Sequence, residues 1–205
     1  MLIGEHWFRL AEYFRTGGPV MAPLLLVSLT MWFLIVERAI SLRRLTLAAM
    51  SGPVAWEHVR GNRVPESGEG GAVGLLVARF LVQRSGDPAL DRCILDEIVL
   101  SLNRSLTRSL PLIGVLAAVA PLLGLLGTVT GMMSTFEVMS MFGTGNAKGM
   151  AGGISEALIT TETGLIVAIP GLYMKNFLER RAQGLKRQLI GAGYSLRRHL
   201  QEAAC

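Results

Sequence analysis

Three apolar stretches organise the chain: Pro19 to Val36, Leu110 to Met133 and Ile154 to Met174. Each has about the 20 residues that an α-helix needs to cross the hydrocarbon of a bilayer. The intervening segments carry helical rather than alternating periodicity. Asp87-Pro88 is a helix start, an N-cap followed by proline at the first helical position. From there Leu90, Ile94, Ile98, Leu102, Leu106 and Leu110 form an i, i+4 stripe running into the second stretch. One helix is therefore expected to extend outside the membrane by roughly 35 Å at 1.5 Å per residue. After the third stretch, Phe177, Leu178, Leu185, Leu189, Leu196 and Leu200 alternate with arginines and lysines, which predicts an amphipathic helix packing antiparallel to the first. Ahead of the first stretch, Trp7, Leu10, Ala11 and Phe14 share a helical face that Arg9, Glu12 and Arg15 avoid, until Gly17-Gly18-Pro19 breaks it.

The expected fold is all-α and integral to the membrane, with three transmembrane helices and long helical extensions. Its divisions are an interfacial helix over 1–18, spans over 19–36, 110–136 and 154–174, a helical region over 37–109, a short link over 137–153 and a C-terminal helix over 175–205. Arg60 to Gly71, rich in Gly, Pro, Ser and charge, reads as a loop within the long helical region. Trp32, Phe33 and Tyr173 suit an interfacial aromatic belt, and core packing explains them nearly as well.

Composition supports this picture. Of 205 residues, 51% are hydrophobic and 17% charged, unlike a soluble domain of this size. A net charge of +5 would point to nucleic acid in a soluble chain, but here the positions of the charges are more informative. Two Lys or Arg precede the first span, ten separate the first and second, one (Lys148) separates the second and third, and seven follow the third. The positive-inside rule then puts the N-terminus outside and both the 37–109 region and the C-terminal tail in the cytoplasm. Basic residues at the start of the tail, Lys175, Arg180 and Arg181, face water or lipid headgroups. No short apolar core with a cleavage site follows Met1, so the first span is expected to serve as its own insertion signal. Cys93 and Cys205 have no CxxC or histidine context, so neither a disulfide framework nor a metal site is expected. No cofactor motif stands out, and no enzymatic activity is expected.

The candidate chemistry lies in the second and third spans. A carboxylate at membrane depth costs on the order of 3 kcal/mol on insertion scales, and the third span carries two, Glu156 and Glu162. On a helical wheel Glu156, Thr160, Thr163 and Val167 share one face, while Thr161 lies about 140° from Glu156. A helix polar on two sides must meet protein or a water-filled lumen around most of its circumference. The second span places Pro121, Gly124, Thr128, Gly131 and Thr135 on one face. Taken alone, close helix packing through small residues explains that strip better than a polar pathway does. Glu137 reads as a wet loop residue.

The first span with its flanks (GGPVMAPLLLVSLTMWFLIVERAISL), the second (APLLGLLGTVTGMMSTF) and the third (GISEALITTETGLIVAIPG) together resemble the ExbB/TolQ/MotA family of proton-driven motor subunits, and within it the ExbB branch. The resemblance covers about three quarters of the chain, and its GTVxGM and EALxxTxxGLxxAIP patterns are specific. It implies a three-span subunit forming a pentameric ring around single-span ExbD-like helices that carry a proton-accepting aspartate. It assigns Thr128, Glu156 and Thr161 to the lumen and proton pathway; Glu162, Thr160, Thr163 and Thr135 are possible additions. At Glu162 and Thr163 the chain departs from many relatives, leaving Glu162 open as a second titrating group or as a structural carboxylate. The implied function is to convert proton flow, in the inner membrane of a Gram-negative bacterium, into work on a TonB-like protein that energises outer-membrane import. A TolQ-like role in envelope maintenance is the alternative, and a passive scaffold for TonB, which needs no Glu156, is an alternative of another class. A MotA-like role fits less well, because that branch has a fourth span. A secondary carrier lacks support, since the chain shows no inverted repeat.

Overall fold

The computed structural model describes residues 13–47, 50–65 and 70–202. The expected face of Trp7, Leu10 and Ala11, and Cys205, lie outside the described residues; within 1–18, residues 13–16 are helical. Six longer helices follow: α1 (Met21–Leu47), α2 (Gly52–Arg60), α3 (Gly71–Gln83), α4 (Pro88–Ser105), α5 (Leu110–Phe142) and α6 (Ala147–Glu202). No strand occurs among the described residues. Three stretches, within Met21–Thr46, Pro88–Phe142 and Ala147–Glu202, are long and apolar enough to cross a membrane. The all-α, three-span fold expected from the apolar pattern is therefore present.

The chain divides into two compact units, one of residues 1–35 with 112–175 and the other of residues 36–111 with 176–205. In the first unit α1, α5 and α6 meet through small residues. Gly171 lies against the Met31 side chain and the Ala117 methyl, so a side chain there would displace the end of Met31. Outward, Leu26, Leu29, Phe33, Leu122, Ile169 and Tyr173 are more than half exposed, a surface suited to lipid or to other protein. Trp32, Phe33 and Tyr173 are all exposed, so core packing does not account for them. Only residues 143–146 separate α5 from α6, so much of the expected 137–153 link is helical and Glu137 is an exposed helical residue rather than part of a loop.

In the second unit α3, an apolar helix not distinguished within the 37–109 region, buries Leu76, Val77 and Phe80. The end of α6 buries Leu178, Leu185, Leu189, Leu196 and Leu200, the expected amphipathic face, although Phe177 is largely exposed beneath the Arg181 guanidinium at 4.8 Å. Arg197 pairs with Asp96 at 3.1 Å and Gly193 packs on Val99, so α6 runs antiparallel to α4 as predicted. Trp56 of α2 stacks on His199 at 5.0 Å between ring centroids.

Two details of the predicted stripe are corrected. The buried face of α4 is Asp91, Leu95, Ile98 and Leu102, while Leu90 is exposed. A strict i, i+4 row drifts by about 40° per step on a 3.6-residue helix, so it cannot stay on one face for five steps. The helix is also interrupted at residues 106–109. Pro111 has no N–H for the Thr107 carbonyl, and its ring crowds that position. Instead Leu110 N–H donates to Thr107 O at 3.2 Å, a tighter turn that restarts the helix.

Candidate functional site

Helix α5 presents Gly124, Gly127, Gly131 and Thr135 to Gly153, Ala157, Thr160 and Gly164 of α6. Gly124 lies against the backbone of Thr160 and Thr161, and a Cβ on Gly127 would collide with the Thr160 side chain. Thr160 is fully buried, and its hydroxyl donates to the carbonyl oxygens of Glu156 at 2.9 Å and Ala157 at 3.1 Å. Thr135, also buried, donates to Gly131 O at 3.0 Å and lies against Gly153. Both hydroxyls satisfy themselves on their own helix, which lets them sit in a close-packed seam without an unpaired donor. For these two residues the packing explanation is sufficient.

Thr128 and Thr161 are placed differently, each only half-buried. Thr128 donates to Leu125 O at 2.6 Å. Thr161 donates to Ala157 O at 2.9 Å and reaches Gly124 O of α5 at 3.5 Å. Beside the seam, each hydroxyl retains acceptor lone pairs that its own donated hydrogen bond does not use.

The two carboxylates meet the segment that leads into α1. Gly18 adopts φ +67° and packs on the Glu156 carboxylate so closely that any side chain would overlap it. Glycine is needed there twice, for its left-handed backbone and for its missing Cβ. Glu156 is half-buried as a result. Tyr13 reaches the other carboxylate: its hydroxyl donates to Glu162 Oε2 at 3.5 Å and lies 3.4 Å from Thr163 Oγ1. Thr163 in turn donates to Ile159 O at 2.7 Å. Among the described residues no hydrogen bond links the Glu156 carboxylate to Thr128 or Thr161.

Tyr13 and Gly18 are the site residues that sequence reasoning missed. Gly17-Gly18-Pro19 read only as a helix breaker, although a glycine pair ahead of an apolar run also permits close approach to another element. Lys175, Arg180 and Arg181 follow the third apolar stretch, and Arg180 and Arg181 are exposed. Among the described residues no group of His, Cys, Asp and Glu is arranged to hold a metal, and Cys93 is an exposed thiol.

An all-α membrane protein whose third apolar helix carries two carboxylates beside a glycine-threonine seam is a narrow class. The model of the MotA/TolQ/ExbB proton channel family matches residues 72–190. An ExbB-like biopolymer transport protein of Synechocystis sp. is 35% identical over 181 residues, covering 78% of this chain and 80% of the relative. The biopolymer transport protein ExbB of Aquifex aeolicus is 43% identical over 82 residues, covering 40% of this chain and 55% of the relative. The Tol-Pal system protein TolQ of Haemophilus influenzae is 38% identical over 90 residues, covering 42% of this chain and 40% of the relative. The chain belongs to the MotA/TolQ/ExbB proton channel family. This is a membrane transport family rather than an enzyme class.

Proposed function

We propose that this protein is the ring-forming subunit of an ExbB-like proton-driven motor in the inner membrane, with its N-terminus periplasmic and its C-terminus cytoplasmic. Five copies surround single-span ExbD-like helices, and the complex delivers work to a TonB-like protein that energises outer-membrane import. The observation that carries the reading is Glu156, a half-buried carboxylate in an apolar helix, held against Gly18 and close in sequence to the half-buried Thr161. A carboxylate in that setting costs several kcal/mol unless it meets water, a partner or a proton. A lumen occupied by a proton-accepting aspartate supplies all three. Thr128, Glu156 and Thr161 line the pathway; Glu162 and Thr163, tethered to Tyr13, form an outlying polar group. Each proton crossing 100 mV releases about 2.3 kcal/mol, so a few protons suffice to shift one helix contact to the next.

Complementation of a strain lacking the gene tests this. Glu156→Ala and Thr128→Val are expected to abolish energy-dependent uptake, or to lower it at least about tenfold, while the protein remains inserted at normal levels. Full uptake in either variant would remove that residue from the proton pathway. The TolQ-like reading is favoured by the resemblance to TolQ over the matched 90 residues. It predicts that loss of the gene leaves uptake intact and instead makes the cell leaky and detergent-sensitive.

A further inference from the structure

Arg38 lies two residues past the end of the apolar run Pro19 to Val36, where lipid headgroups meet water. Its side chain is only 7% exposed. One terminal nitrogen donates to Ser105 O at 2.6 Å, the last carbonyl of α4, whose backbone bond from Arg108 N–H is stretched to 3.5 Å by the interruption. The Nε–H is buried with no acceptor. A guanidinium has five N–H donors, and burying one unpaired forfeits its hydration without replacement. The arginine is therefore short of an acceptor, and its side chain also helps to line an open groove of about 560 Å³.

That groove is amphiphilic. Arg38, Ser41, Arg44 and Ser105 supply its polar side, together with Glu37, and the two arginines leave it net positive against the single carboxylate. Ile40 and Leu75 line the same groove and are themselves 50% and 38% exposed. A small apolar recess of about 20 Å³ continues beneath it, sharing Leu45, Leu75, Ser105 and Leu106. A buried arginine short of an acceptor, a second arginine and an exposed apolar wall form the complement of an anionic head joined to hydrocarbon.

We propose that this groove binds one acidic phospholipid per subunit, its phosphodiester on Arg38 and Arg44 and its acyl chains along Ile40 and Leu75. Arginine suits this role because its planar fork offers paired donors to phosphate oxygens. The site would fasten the foot of the first span to one leaflet. The inference requires only that the span ends near Val36; it does not rest on proton conduction.

The test uses the full chain, extracted in mild detergent and depleted of native lipid, titrated with dioleoylphosphatidylglycerol while native mass spectrometry counts bound lipid. Dioleoylphosphatidylcholine and glycerol 3-phosphate are the comparison ligands. One phosphatidylglycerol per subunit is expected to bind, roughly tenfold more weakly in Arg38→Gln and in Arg44→Gln, as expected for loss of a charge-assisted contact. Glycerol 3-phosphate should not displace it at equal concentration. Because Arg38 also caps α4, helix content is compared by circular dichroism, and Arg44→Gln decides the matter if Arg38→Gln does not fold. Equal phosphatidylglycerol affinity in the folded variants would overturn the proposal. So would phosphatidylcholine binding as tightly, which would mean an apolar crevice only, or displacement by glycerol 3-phosphate, which would mean a soluble-phosphate site.

Discussion

Glu156 and Glu162 share one helix yet meet different partners, Gly18 and Tyr13. Glu156 is pressed against backbone and half-buried; Glu162 is exposed and, among the described residues, is met by a long contact from the tyrosine hydroxyl. The difference turns the question of whether Glu162 titrates into a comparison of two substitutions. Glu162→Gln keeps the shape and can still accept from Tyr13. If Glu162 is structural, the glutamine variant retains most uptake, while Glu162→Leu impairs assembly because Tyr13 and Thr163 lose a polar neighbour where water is scarce. If it titrates during the cycle, Glu162→Gln is as defective as Glu156→Gln. Uptake and assembly measured side by side separate the two, and normal values for both variants would show that neither role applies. The sequence exposed the two carboxylates because charge in an apolar helix is visible without coordinates. It could not tell Thr160 from Thr161: a wheel gives relative angles, but only the seam shows that Thr160 fills the space opposite Gly127.

Among the elements, the α3–α4 corner rests on one buried group. Asp91 accepts from Ser85 N–H at 2.7 Å, Ser85 Oγ at 3.0 Å and Arg84 Nε at 3.2 Å. Burial works to raise its carboxyl, but the Ser85, Arg84 and Gly86 donors prevail and hold it below the ordinary carboxylate range. A depressed folded-state pKa contributes stability above the unfolded value of about 3.9, and that contribution is lost as pH falls through the folded value. Asp91→Asn is therefore expected to cost about 2 kcal/mol at neutral pH and progressively less below about pH 4. Thermal unfolding in mild detergent, followed at pH 7 and at the acid limit of solubility, checks it; an equal loss at both would contradict the ionic origin. The start of α4 was legible because Asp87 caps Ala89 N–H at 2.9 Å ahead of Pro88, a local signal. The interruption near Pro111 was obscured by the leucine row, and Asp91 gave no signal in the pattern because its partners come from the preceding turn.

For the whole molecule, much apolar surface remains outward on all three membrane-crossing helices: Phe33 is 71% exposed, Leu122 63% and Ile169 66%. Lipid covers such surface at little cost, but half-buried hydroxyls and carboxylates need protein or water beside them. The apolar runs and basic clusters disclosed the membrane class and the number of spans; what surrounds the polar faces is an assembly property that one chain does not encode as periodicity. The ring with a proton-conducting centre is the proposal that joins these faces. Its most direct test is proton flux into liposomes containing the purified subunit with its single-span partner, measured with an internal pH dye under an imposed membrane potential. Wild-type complex should acidify the lumen, and Glu156→Gln should reduce the rate at least about tenfold with the mass of the oligomer unchanged by native mass spectrometry. Undiminished flux in an intact Glu156→Gln complex would contradict a proton path through that carboxylate.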